Sequence, residues 1–152
     1  SLYSNRHNST VDTIREPLYH LLIPGKPLPK ERPRLGKGRT YTSSKTKSQE
    51  KLIQAHALKS RIVPIQGDVR LFLCFFGAHH AADTDNLIKL PLDALNGMAY
   101  KDDRQVIDIH AFKRDVLTEP LTAILIGPIS EEINLPEIVE ALLQGQTPLS
   151  SD

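Results

Sequence analysis

The stretch "VRLFLCFFGAHHAADTDNLIKLPLDALNGMAYKDDRQVIDIHAFK", Val69 to Lys113, decides how the chain folds. Val69–Gly77 is apolar on both alternating faces except at Arg70, which predicts a central strand covered on both sides. "HHAADT" then reads as a loop. Across Asp85–Asn96, Leu87, Leu90, Pro91, Ala94 and Leu95 follow the i, i+3, i+4, i+7, i+8 spacing of a buried helix face, with Gly97 placed to cap the end. Asp85, Asn86, Lys89, Asp93 and Asn96 share the opposite side. Pro91 removes one backbone hydrogen bond within this helix, at a cost of roughly 3 kcal/mol or less. Gln105–Lys113 alternates as a strand, with Ile107, Ile109 and Ala111 on one face.

Outward from this centre, "LYHLLI" (Leu18–Ile23) predicts a first strand closed by Pro24-Gly25, and "LTAILIG" (Leu121–Gly127) another buried strand. Lys26–Ser44, rich in Pro and Gly, reads as an irregular segment or a hairpin, with a short strand at "RTYT". Thr46 and Gln49 have capping-box spacing, so a helix is expected from there to about Ile62, with Leu52, Ala55, Leu58 and Ile62 on one face. Asn134–Gly145 predicts a short final helix. The expected fold is α+β, a single domain with a mixed β-sheet and helices packed on it. Its expected boundaries are a loose arm over 1–16, the domain over 17–128 and an acidic extension over 129–152.

The chain of 152 residues suits one hydrophobic core. No apolar run approaches the roughly 20 residues that span a bilayer, and no basic start with an apolar centre suggests a leader. A lone Cys74 in an apolar run fits a cytoplasmic location. The net charge of +1 conceals an asymmetry: Lys30–Lys51 holds eight basic and two acidic residues, a local +6 that leaves −5 for the rest. Such a segment suits either a polyanion partner or a solvated loop.

Asp83 and Asp85 flank Thr84 where a buried strand gives way to a helix. Carboxylates two residues apart in extended or turn backbone point to one side and repel each other unless a cation sits between them. Mg²⁺ accepts one or a few such oxygens and keeps its other positions for water and phosphate. Asp102 and Asp103 form a second acidic pair before the next strand. If the helix packs back across the sheet, that pair can return to the first. Plainer readings stand beside this one: Asp83 or Thr84 as a helix cap, Lys89 with Asp93 or Asp85 as an ion pair, and Asp102-Asp103 as a turn. His79 and His80 suit a polar loop, and His56 and His110 structural positions.

The set "DTDNLIKLPLDALNG" followed by "KDDRQV", with "IPGKPLPKERPR" and "GRTYTSSKTKSQE" upstream, resembles the RusA-type Holliday-junction resolvases, over roughly Leu21–Ile126. The resemblance implies a metal-dependent endodeoxyribonuclease that resolves four-way DNA junctions by paired phosphodiester hydrolysis in recombination and repair, acting as a homodimer. It implies Mg²⁺, with Mn²⁺ as a substitute, held by Asp83, Asp85 and Asp103, with Asp102 as a helper, and Lys89 as the catalytic lysine. The basic stretch, through Lys30, Arg32, Arg34, Lys37, Arg39, Lys45 and Lys47, is expected to grip backbone phosphates. His79, His80, Ala81 and Ala82 stand where some members carry arginines. The rival readings are a D-x-D nucleotidyl or glycosyl transferase, and a structure-specific DNA-binding protein without catalysis. The metal reading requires Asp83, Asp85 and Asp103 to converge.

Overall fold

The computed structural model describes residues 18–31, 34–36, 39–41, 43–115, 118–129 and 144, with side chains in 34–36 and 39–41 excepted. The expected arm over 1–16 and the expected helix over 134–145 lie outside these residues, apart from Gln144. The described residues form six strands: β1 (Tyr19–Pro24), β2 (Arg34–Gly36), β3 (Arg39–Tyr41), β4 (Val69–Phe76), β5 (Val106–Arg114) and β6 (Leu121–Pro128). Among the described residues, two helices, α1 (Ser44–Lys59) and α2 (Thr84–Ala94), and a 3₁₀ turn at Asp103–Gln105 accompany these strands.

Four strands form one mixed sheet in the order β1-β6-β4-β5. β6 pairs antiparallel with both β1 and β4, whereas β4 and β5 run parallel. A parallel pair needs a crossover, and α2 supplies it. The sequence explains why β4 is central. Leu71, Leu73 and Phe75 face the helices, where they join Leu21, Ile23, Ile124 and Ile126 of the neighbouring strands and Ile53, Leu87 and Leu90 of the helices. Phe72, Cys74 and Phe76 enter a second cluster with Ala123 and Leu125. Each fully buried side chain of this size contributes about 1.5–3 kcal/mol. β2 and β3 make a separate hairpin, pairing Arg34 with Tyr41 and Gly36 with Arg39. The fold is α+β, as the sequence predicts.

α2 buries Leu87, Leu90, Pro91 and Ala94, the face its spacing predicts. α1 departs from expectation at both ends and in its face. Ser43, not Thr46, is the cap: its hydroxyl accepts from the Thr46 N–H at 3.2 Å. Thr46 is itself buried, and its Oγ1 accepts from the Glu31 N–H at 3.3 Å. The helix ends at Lys59, where Arg61 turns into the left-handed region at φ 57°. The buried face is Thr46, Ile53 and Ala57, while Leu58 is 70% exposed. The cause is the docking of residues 26–31 against the start of α1, which turns the Thr46 side inward.

Candidate active site

The crossover determines where each acidic group lies. β4 ends at Phe76, the loop 77–82 follows, and α2 runs back along the sheet to Ala94 before the chain enters β5 parallel to β4. Asp83 and Asp85 therefore sit at the end of the sheet where β4 and β5 finish. Lys113, near the end of β5, donates to the Ala82 carbonyl at 2.8 Å. Asp103 sits at the other end, just before β5 begins. There the Gln105 amide donates to the carbonyls of Ile65 and Gly67 at 2.8 Å each and accepts from the N–H groups of Lys101 at 2.8 Å and Asp102 at 3.1 Å. An 11-residue helix is about 16 Å long, so the two acidic groups stand roughly a helix length apart.

At the first end, Asp83 occupies the position before α2 with extended backbone, yet its side chain makes no cap hydrogen bond. Its Oδ2 receives the Asn86 amide at 3.5 Å, and Asp85 Oδ1 accepts from the Asn86 N–H at 3.1 Å. Both aspartates are exposed. Their carboxylates are held at the mouth without being consumed as a cap. His79 and His80 stack with ring centroids 4.4 Å apart, and His79 Nδ1 accepts from the Ala81 N–H at 3.1 Å. That hydrogen bond ties the pair to the loop. His79 also lines a cleft of about 280 Å³ with Lys26, Pro27, Leu28, Pro29, Glu31, Lys45 and Thr46.

At the second end, Asp102 caps the 3₁₀ turn through a reciprocal capping box with Gln105. The Arg104 N–H and then its guanidinium hold the Asp102 carboxyl below its ordinary range. Asp103 lies beside Asp102 and joins Asp93 near the hydroxyl of the buried Tyr100. Burial, and then these two carboxylates, push the Tyr100 pKa upward. The Tyr100 hydroxyl donates to the Leu92 carbonyl at 2.7 Å, satisfying one of the carbonyls left open at the end of α2. Lys89 reaches away from Asp85, and its Nζ lies 3.5 Å from Asp93 Oδ2.

Within one chain the expected convergence does not occur. Among the described residues, no three His, Cys, Asp or Glu side chains are grouped to hold a metal ion. Sequence spacing conceals this, because a parallel crossover carries Asp103 to the far end of the sheet. The donor chemistry of Asp83 and Asp85 still suits a hard divalent ion, which accepts one or two carboxylates and fills its remaining positions from water and phosphate.

The basic stretch is only partly described. Arg32 and Lys37 lie outside the described residues, as do the side chains of Arg34 and Arg39. Lys45 and Lys47 are exposed in the first turn of α1, which carries no acidic residue. Lys30 is mostly buried and paired with Glu50 at 2.5 Å and Asp93 at 3.1 Å, a constraint that sequence reasoning missed. The outer face of β5 was missed as well. Arg70 Nε meets Asp108 Oδ2 at 2.6 Å, Asp108 Oδ1 meets His110 Nε2 at 2.9 Å, and His110 stacks on Phe72 at 4.8 Å.

The family model for endodeoxyribonuclease RusA matches residues 24–126, more than half of the chain. No curated protein matches it.

Proposed function

The chain belongs to the RusA endodeoxyribonuclease family, and on that premise we propose that it resolves four-way DNA junctions as a homodimer whose metal sites are shared between the two chains. The supporting observation is the partition of the acidic groups: Asp83 and Asp85 at one end of the sheet, Asp103 at the other. Two chains related by a two-fold axis, paired antiparallel along β5, bring the start of one β5 beside the end of the other. Asp103 of one chain then approaches Asp83 and Asp85 of its partner. β5 suits this role as the nine-residue edge strand of the sheet among the described residues, with Ile107 60% and Ile109 37% exposed.

In this reading Asp83 and Asp85 of one chain and Asp103 of the other would hold Mg²⁺, or Mn²⁺ in its place. The ion, when bound, supplies a lowered pKa for a water and neutralises charge on the scissile phosphate. Asn86, donating to both aspartates, fixes their orientation. Lys89 places a cation on the same helix to stabilise charge developing on the phosphate or on the departing 3′ oxygen. Asp93, which holds its Nζ, sets the position from which it acts. Lys45, Lys47 and the arginines of the β2–β3 hairpin bind backbone phosphates, which gives affinity and salt dependence rather than base specificity. Two sites related by a two-fold axis suit paired nicks on opposite strands of a junction, the chemistry that recombination and repair require. Residues 17–128 would form the catalytic unit and 129–152 an acidic extension. A cytoplasmic location accords with the buried free Cys74, and no helix among the described residues is long and apolar enough to cross a membrane.

The test is cleavage of an end-labelled four-way junction with Mg²⁺. Symmetric paired cuts are expected, and Asp85→Asn should abolish cutting while junction binding is kept or tightened. A wild-type protein that retards the junction without cutting it refutes the catalytic reading. Joint loss of binding and cutting in Asp85→Asn would make Asp85 a structural residue.

A further inference from the structure

Lys30 carries a cation in the basic stretch, but its surroundings are unlike those of a phosphate contact. Its side chain retains only 19% of its accessible surface. Its Nζ lies between Glu50 Oε2 of α1 at 2.5 Å and Asp93 Oδ2 of α2 at 3.1 Å. Its backbone N–H donates to the Asn86 carbonyl at 2.8 Å, in the first turn of α2. One residue on, the Glu31 N–H donates to Thr46 Oγ1 in the first turn of α1. Residues 26–31 thus form a strap fastened to both helices. The strap leads into the β2–β3 hairpin on one side and lies against the turn that carries Asp85 on the other. Burial opposes the charged form of Lys30, yet the hydrogen bonds and charges of Glu50 and Asp93 outweigh it and raise its pKa. The ammonium stays charged with its partners already in place.

We propose that Lys30 is a positioning residue for cleavage: it pins the strap across α1 and α2, sets the basic hairpin relative to the Asp83–Asp85 mouth, and makes no contact with DNA. The proposal rests on the nuclease reading for its catalytic consequence but not for the strap itself. A Lys at a phosphate contact releases counterions, and its removal lowers the slope of log K against log salt by about 0.9. A positioning Lys leaves that slope unchanged. The shared Asp93 extends the effect, since the carboxylate that Lys30 neutralises also holds Lys89.

Three variants, Lys30→Met, Lys30→Arg and Glu50→Gln, separate these roles when each is compared with wild type in three measurements. Amide hydrogen exchange without DNA should accelerate about tenfold at residues 30 and 31 and in the first turn of α2 in Lys30→Met, with smaller effects in Lys30→Arg. The salt slope for a four-way junction, measured without divalent metal, should match wild type in all three variants. The single-turnover rate of cutting by saturating protein should fall about tenfold or more in Lys30→Met and in Glu50→Gln, with recovery in Lys30→Arg, whose guanidinium can bridge both carboxylates. A slope lowered by about one in Lys30→Met, a slope steepened in Glu50→Gln as a freed lysine finds phosphate, or unchanged exchange in the strap each overturns the proposal. Failure of the wild-type protein to cut any junction refutes the nuclease reading instead, and exchange then still decides whether Lys30 fastens the strap.

Discussion

A site shared between chains makes an arithmetic prediction that a site within one chain does not. Asp85→Asn removes a carboxylate from the mouth, and Asp103→Asn removes one from the turn before β5, about a helix length away in the same chain. Each variant alone should be inactive, because both sites of its dimer lose the same group. Unfolding an equal mixture and refolding it together lets the chains associate at random. About half of the dimers then carry one of each chain. In such a dimer one site draws Asp85 from the Asp103→Asn chain and Asp103 from the Asp85→Asn chain, and is intact. The other site lacks both carboxylates. Nicking of a labelled junction should therefore recover to about a quarter of the wild-type rate, with single nicks replacing paired cuts. The control is a mixture of Asp83→Asn with Asp85→Asn, whose lesions share one half-site and should recover nothing. If the first mixture stays inactive while its mixed dimers are shown to form, the shared site is refuted. If the control recovers as well, the partition of the carboxylates is wrong.

Three further outcomes are expected. Ile109→Asp, on the open edge of β5, should shift the protein from dimer to monomer in sedimentation and abolish cutting; a variant that stays dimeric removes β5 from the interface. Leu90→Ala, at a position 1% exposed beneath α2, should lower the unfolding free energy by about 2–5 kcal/mol in urea, and a loss under about 1 kcal/mol would contradict the packing described. Asp102 has its pKa lowered from 3.8 on folding, so the stability it contributes is present above that value and is lost as the pH falls through its folded value. Asp102→Asn should melt below wild type near neutral pH, with the gap narrowing as the pH falls below the ordinary carboxylate range; a gap independent of pH would show that the Arg104 pairing contributes nothing.

Much of the fold is legible in the residues because burial leaves a periodic trace. The doubly apolar run Val69–Phe76 identified the central strand, and the spacing Leu87, Leu90, Pro91, Ala94 identified the inner face of α2. α1 was legible as a helix but not in its orientation. Its apolar residues are scattered around its circumference, and the buried Thr46 is chosen by a distant backbone N–H, that of Glu31. The aspartates were legible as a motif on the strength of family resemblance. Their separation was not, since the direction in which β5 pairs with β4 leaves no mark in the spacing between Asp85 and Asp103. The basic run and the family resemblance group Lys30 with the other cations, and only the tertiary placement of Glu50 and Asp93 sets it apart.

The single amide of Gln105 makes four hydrogen bonds, two to the turn that bears Asp103 and two to the segment leading into β4. Its consequence concerns the resting enzyme. Where metal ligands are assembled by the ion itself, EDTA unfolds the protein, as it does small zinc domains. Here protein hydrogen bonds from Gln105, not metal ligation, fasten the turn that bears Asp103. EDTA-treated protein should keep its melting temperature, and activity should return as fast as magnesium is added back, with no refolding delay.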